Sequence, residues 1–513
     1  METVRHGLST GRRVPPPANP PAALSRRLLI FALPALILVM SAVIPTDAVR
    51  GAGPAAPKPG AWTQLGSAQG QSIPTLVHVA NGNDLVIWMA PVTKSHKYYY
   101  VAAQLKPKGG MVSKPADIFG GKDWTGLDPF TAPVLVSQGS KPLLVFQGSR
   151  STSGSDQYSN GCIVGDLLTA GGWQLQGWSL SAACDPTSHF GATITKNGTL
   201  SAAWPGGWSN GNGVRYRIGV SSSIPATPDD KHISTAPGQA GQVAEATDAA
   251  TQDIYAAWAR FSSAQASKDG IWAANLSKSS TPLHAPGSGT STFGAMRQPV
   301  AVASPTGRGE IYLAYCNDAS PCNKVEFWRY GAKSASTMPK STTATQVSIS
   351  AGPAGRLWIA WWSASTGTVS VVRTNKEGSA LGPVITHPGP RGCNGDANAT
   401  IKISSGTQQH LDVVMICYSG ATHAFATQSL VPLQLSATTT AINHKQGGSV
   451  TYRVSDAGDW IQGATVKVGG KKGKTNGNGQ VTFTFPRGAK TGSFKVIAIL
   501  PNYLQASMRL QVT

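Results

Sequence analysis

The chain is predicted to be all-β: a seven-bladed β-propeller followed by a small β-sandwich. Three observations predict this. A short unit of β-structure recurs seven times. Long helical periodicity is absent beyond the N-terminal segment. From residue 431 the pattern changes to clean alternation of apolar and polar residues.

The clearest copy of the unit spans residues 345–373. It has an extended run, a Gly-rich turn, an apolar strand closing on aromatic residues, a polar loop and a third strand. The second strands align at 84–88, 142–146, 199–204, 253–258, 310–315, 356–361 and 411–416, with starts 46 to 58 residues apart. Four short strands and their turns fill that length. Third strands are expected at 98–105, 161–165, 214–220, 270–276, 324–330, 367–373 and 421–428. Turn signals such as Asn81-Gly82-Asn83, Asn197-Gly198 and Gly307-Arg308-Gly309 precede second strands and supply the positive φ of hairpins. The strands are apolar nearly throughout, as blades packed on both faces require. Residues 60–66 resemble residues 172–177, an expected outer strand. They are therefore expected to supply the outer strand of the last blade and close the ring.

Ahead of the propeller, residues 1–48 read as a signal peptide or membrane anchor with a basic, Pro-rich start. An uncharged apolar run covers 28–44. Residues 49–60 form a Gly/Pro/Ala linker, the propeller spans 61–430, and the sandwich spans 431–513. The arginines before the apolar run place the rest of the chain outside. The six cysteines all lie in the propeller region and fall into local pairs: Cys162 with Cys184, Cys316 with Cys322, Cys393 with Cys417. Disulfides in an oxidising compartment explain them. A Cys-x-x-Cys and a His at metal-ligand spacing are both missing, so no zinc site and no cofactor is expected. Net charge is +20, which favours anionic partners. No nucleic-acid-reading motif accompanies that charge.

Two resemblances follow from particular residues. Ser267-Lys268-Asp269-Gly270-Ile271-Trp272 is nearest to an Asp-box turn, and Tyr216-Arg217-Ile218-Gly219 to an Arg-Ile-Pro segment. With the repeats, these make 61–430 resemble the sialidase-like, or BNR-type, propeller group. The resemblance implies a fold and not a site. The turn lacks a residue between Asp and Gly, Gly stands for Pro, and glutamates are scarce: Glu245, Glu310, Glu326 and Glu377. Residues 463–468, 475–481 and 492–496 make 431–513 resemble bacterial immunoglobulin-like surface domains, which implies a spacer or adhesive module.

Candidate chemistry is sparse. Gly207-Trp208-Ser209-Asn210-Gly211 fits an esterase motif, but a strand follows where the elbow needs a helix. Gly473-Lys474-Thr475 lacks the upstream glycine of a phosphate loop. Asn394, Asp396 and Asn398 alternate oxygen ligands as calcium loops do, without the closing Glu. Asp123, Asp128 and Asp156 lie in long loops, where paired carboxylates can serve hydrolysis or elimination. Trp88, Trp204, Trp258 and Trp361 close second strands and are expected to pack between blades. Trp124, Trp178 and Trp208 lie in or near loops and are candidates for stacking on sugars.

The resulting expectation is an exported, non-catalytic bacterial surface or secreted protein that binds glycans or anionic envelope polymers. It would touch a membrane only through residues 28–44, if these are retained. A carbohydrate-active hydrolase or lyase using the loop aspartates is the alternative. A scaffold for a protein partner is the third.

Overall fold

The computed structural model describes residues 60–513 apart from short loops, the longest being 92–98, 119–126, 151–162, 182–188, 206–212, 220–230 and 290–298. Residues 1–48 and the Cys162–Cys184 pair therefore lie outside the described residues. Among the described residues no helix is long and apolar enough to cross a membrane.

Among the described residues, seven antiparallel sheets follow one another in chain order, here sheets I to VII. Their first strands are Thr75–His78, Val134–Gln138, Gly191–Ile194, Gln239–Thr247, Val300–Ala303, Ala344–Ala351 and Thr400–Ser404. Neighbouring first strands touch in chain order, and the last touches the first. The result is a closed, propeller-like ring. Second strands fall where expected, among them Asp84–Ala90, Ile254–Phe261, Leu357–Ser363 and Leu411–Cys417. Third strands do too, except that the second-sheet strand is Ile163–Thr169, later than expected. Gly198 and Gly307 take φ of 82° and 78° in first hairpins, a region that costs glycine nothing.

Alternation explains how the sheets pack. In the second strand of sheet VI, Leu357, Ile359 and Trp361 share one apolar cluster with sheet V. Trp358, Ala360 and Trp362 share another with sheet VII. Period two thus sends successive side chains to opposite neighbours, and a strand buried on both sides reads as continuously apolar. Trp88, Trp204, Trp258 and Trp361 are buried as expected, none more than 2% exposed.

The ring closes through Thr63–Ser67, which pairs antiparallel with His423–Ser429 and becomes the outer strand of sheet VII. Leu65 is buried there, and Trp88 of sheet I donates its indole N–H to the carbonyl of Ser67 at 2.9 Å. Cys316–Cys322 and Cys393–Cys417 are disulfide-bonded, as their spacing led us to expect.

Residues 434–512 form two packed sheets. One holds Gln434–Ala437, Gly448–Asp456, Asp459–Trp460 and Gln480–Phe485. The other holds Ala441–Ile442, Thr465–Val468, Lys471–Lys474, Gly492–Ile499 and Ala506–Val512. Their core alternates along each strand, with Val450, Tyr452 and Val454 facing Val466, Val496 and Leu510. This sandwich docks on sheets VI and VII. Tyr503 packs against both the sandwich core and that of the ring, and Leu504 donates its N–H to the carbonyl of Val431 at 2.9 Å.

Candidate active site

The seven first strands surround a central channel. A cavity of about 90 Å³ in it is lined by residues from all seven, including Thr75, Val134, Gly191, Gln242, Glu245, Val300, Ser348 and Lys402. Thr75, Val134, Gly191 and Val300 open their strands, so the cavity sits toward that end of the ring. Strand order brings the second-to-third and fourth-to-first connections to the same end.

Most of the wall is apolar or backbone, which isolates its few polar groups. Glu245 is half-buried, and its Oε1 accepts a hydrogen bond from Ser201 Oγ at 3.0 Å. Its Oε2 has no hydrogen-bond partner, and neither has Oε1 of Gln242. Burial pushes the Glu245 carboxyl well above the usual carboxylate range, against the Ser201 hydrogen bond. Lys402 lies between Ile401 and Ile403, both buried in the core between sheets, so alternation turns the lysine into the channel. Burial lowers its ammonium pKa. No ion pair holds it among the described residues. The wall thus carries a carboxyl that holds its proton more tightly than usual and an amine that gives up its proton more readily than usual.

Local packing fixes Glu245. A Cβ at Gly191 would stand 2.7 Å from the Glu245 backbone nitrogen and 2.9 Å from the Ala244 carbonyl carbon. Only glycine lets these two first strands approach so closely.

The shifted carboxyl makes stability depend on pH. The folded protein holds the Glu245 proton more tightly than the unfolded chain does. That contribution is fully present below the titration of the unfolded carboxyl. It is lost as pH rises through the folded one. Glu245→Gln is therefore expected to gain melting temperature relative to the unsubstituted chain as pH rises from about 4 to about 8. The gap is expected to be smallest at the acid end. Melts across that range check it, and a gap independent of pH would refute it.

The candidates read from sequence are distributed differently. Trp124, Trp208, Asp123 and Asp156 lie outside the described residues. Asp128 falls in strand Leu127–Pro129 and Trp178 in strand Gly172–Ser181. Asp396 is buried, and its carboxylate accepts the backbone N–H groups of Asn398, at 3.0 Å, and Tyr418. Asn394 and Asn398 are exposed beside it. Asp396 thereby anchors a turn next to the Cys393–Cys417 disulfide. Glu245 was in the short tally of glutamates, but Lys402 and Gln242 were missed. The available signal was a lone charged or amide side chain inside an otherwise apolar first strand, as in Thr400-Ile401-Lys402-Ile403-Ser404.

No family model matches the chain, and no curated protein matches it. Solved structures do. An α-L-arabinanase of Penicillium chrysogenum complexed with arabinobiose is 12% identical over 72% of this chain and 98% of its own, with a TM-score of 0.41. The GH93 α-L-arabinofuranosidase of Fusarium graminearum is 11% identical over 71% and 96%, with a TM-score of 0.41. Polysaccharide lyase Uly1 is 11% identical over 71% and 90%, with a TM-score of 0.40. At these identities the likeness bears on fold alone, and residue roles rest on this chain's own geometry. The expectation of a non-catalytic binder has no support among these matched structures, which are glycoside hydrolases and a lyase, as its alternative named.

Proposed function

We propose that the protein is an exported carbohydrate-active enzyme that cleaves anionic polysaccharide by elimination at the cavity end of the channel. The observation that carries this reading is Glu245, a channel-wall carboxyl whose hold on its proton is strengthened by burial, with one oxygen unpartnered. Both glycoside hydrolysis and elimination need an acid at the leaving oxygen. Elimination also needs a base, and Lys402 supplies one on the same wall. Lys402 would take the proton from the carbon beside a uronate carboxylate. The adjacent carbon–oxygen bond breaks, a carbon–carbon double bond forms, and Glu245 protonates the departing oxygen. Hydrolysis would need a second carboxylate, and among the described residues the cavity wall has one. A net charge of +20 suits an anionic substrate.

The rest of the chain fits this reading as a seven-bladed propeller at 61–430, an immunoglobulin-like module at 431–513 and an export segment at 1–48. Two disulfides support an oxidising, extracellular setting.

The test is a panel of uronate-bearing and neutral polysaccharides incubated with the purified chain. New reducing ends together with ultraviolet-absorbing unsaturated ends establish elimination. Reducing ends without that absorbance establish hydrolysis. Glu245→Gln is expected to lower turnover by about 10²–10⁴-fold. An unchanged rate in that variant would remove Glu245 from the mechanism.

A further inference from the structure

At the opposite end of the ring, where sheets I and VII meet, four side chains converge. His78 ends the first strand of sheet I and pairs across the hairpin with Asp84, the first residue of the second strand. Asp412 occupies the corresponding position in sheet VII, opposite Ser404, with His410 just ahead of it. Ligand atoms of His78, Asp84 and Asp412 all lie within 4.8 Å of one another. Asp84 and Asp412 are 3% and 1% exposed and His410 is 5% exposed. His78, with 18% of its side chain exposed, connects the group to solvent.

The contacts are close but poorly aligned as hydrogen bonds. His78 Nδ1 is 2.7 Å from Asp84 Oδ1, and His410 Nε2 is 3.1 Å from Asp412 Oδ2. None of the four atoms has a well-aligned hydrogen bond, and the Asp84 and Asp412 carboxyls face each other closely enough to interact as a pair. Buried oxygen and nitrogen atoms that face one another without a shared, aligned proton are costly by themselves. Asp412 is held in place by its other oxygen, which accepts from Gln428 Nε2 at 2.7 Å. Convergent lone pairs on a carboxylate oriented from behind are the arrangement a cation stabilises.

We propose that His78, Asp84 and Asp412 bind one divalent transition-metal ion of the zinc class, with His410 positioning Asp412. The donor set decides the class. One imidazole and two carboxylates suit a small ion of low coordination number. Calcium takes six to eight oxygens, and magnesium keeps an octahedron largely of water. The ion would join positions 84 and 412 and lock the first and last sheets of the ring. Residue spacing could not reveal it, because the ligands meet only when the ring closes.

The test uses the untagged full chain, stripped with a chelator and dialysed. Added Zn²⁺ is expected to raise the melting temperature and to leave one zinc per chain after desalting. At zinc about 100-fold above the dissociation constant, the folding equilibrium moves about 100-fold toward the folded state. Co²⁺ in its place is expected to give the visible absorption of a low-coordinate site. Asp84→Asn removes one of two adjacent carboxylates, so it is expected to fold at least as well without metal and to show no zinc response. His78→Gln is expected to lose the response as well. Failure to retain zinc, together with an unchanged melting temperature, would overturn the proposal. So would a response that survives in both variants. Activity on polysaccharide is a separate readout, at the other end of the ring.

Discussion

Replacing Asp456 with alanine is expected to destabilise the chain by about 3–5 kcal/mol, the cost of leaving a buried charge without its partner. Asp456 lies in the sandwich and Arg373 in sheet VI, and their side chains are 1% and 0% exposed. Arg373 ion-pairs with Asp456 Oδ2, and Arg356 Nε stands 3.2 Å from the same oxygen. The Arg373 guanidinium lies 4.9 Å from the Trp358 ring centre and 5.1 Å from that of Tyr503, so it is enclosed by apolar surface. Its Nη1 donates to the Gln409 carbonyl at 3.1 Å and to Gln409 Oε1 at 3.0 Å. Asp459 holds Arg356 from the other side at 2.5 Å. Residues 432–513 contain two acidic residues, Asp456 and Asp459, against ten Lys and Arg. Both acids dock the sandwich. These pairs fix the module to the ring. Denaturant unfolding of the Asp456→Ala variant checks the magnitude. Proteolysis should then cut near Val431 as the two parts separate. A loss below about 1 kcal/mol would mean that the interface does not depend on this pair.

Deleting residues 60–67 is expected to have the second large effect. The strand Thr63–Ser67 supplies the outer edge of sheet VII, and its loss exposes the ladder of His423–Ser429. Burial of Leu65 alone is worth about 1.5–3 kcal/mol. The donors of Trp88 and Thr427 would also lose their acceptors, the carbonyls of Ser67 and Ala61. The truncated chain is expected to melt well below the full one and to self-associate through the bare edge on size-exclusion. A monomer with an unchanged melting temperature would show that the ring holds without this strand.

Much of the architecture was legible because strand packing leaves a local record. A strand buried on both faces is apolar at every position, so second strands such as Arg356-Leu357-Trp358-Ile359-Ala360-Trp361 stood out. Turns leave Gly and Asn at fixed places, as at Asn197-Gly198. Two cysteine pairs were legible because their partners are near in sequence. The closing strand was legible because 60–66 repeats the pattern of 172–177. The site was much less so. Its groups come singly from separate repeats: Glu245 from sheet IV, Gln242 from the same strand, Lys402 from sheet VII. One charged residue inside one strand has no periodicity, and loop aspartates drew attention because loops commonly carry function.

By itself, then, the sequence determined the all-β repeats, their order, the turn chemistry, the local disulfides and the positive charge. Each depends on residues within one repeat or on simple sums. Only the tertiary structure decided which side chains share the channel, which acids dock the sandwich and which carboxylates meet at the seam of the ring. Those depend on distances between residues some 80 to 330 positions apart, as in Arg373 with Asp456 and Asp84 with Asp412. Burial then sets their ionisation. The Glu245 carboxyl has an ordinary chemistry in the chain and a displaced one only where the wall around it excludes water.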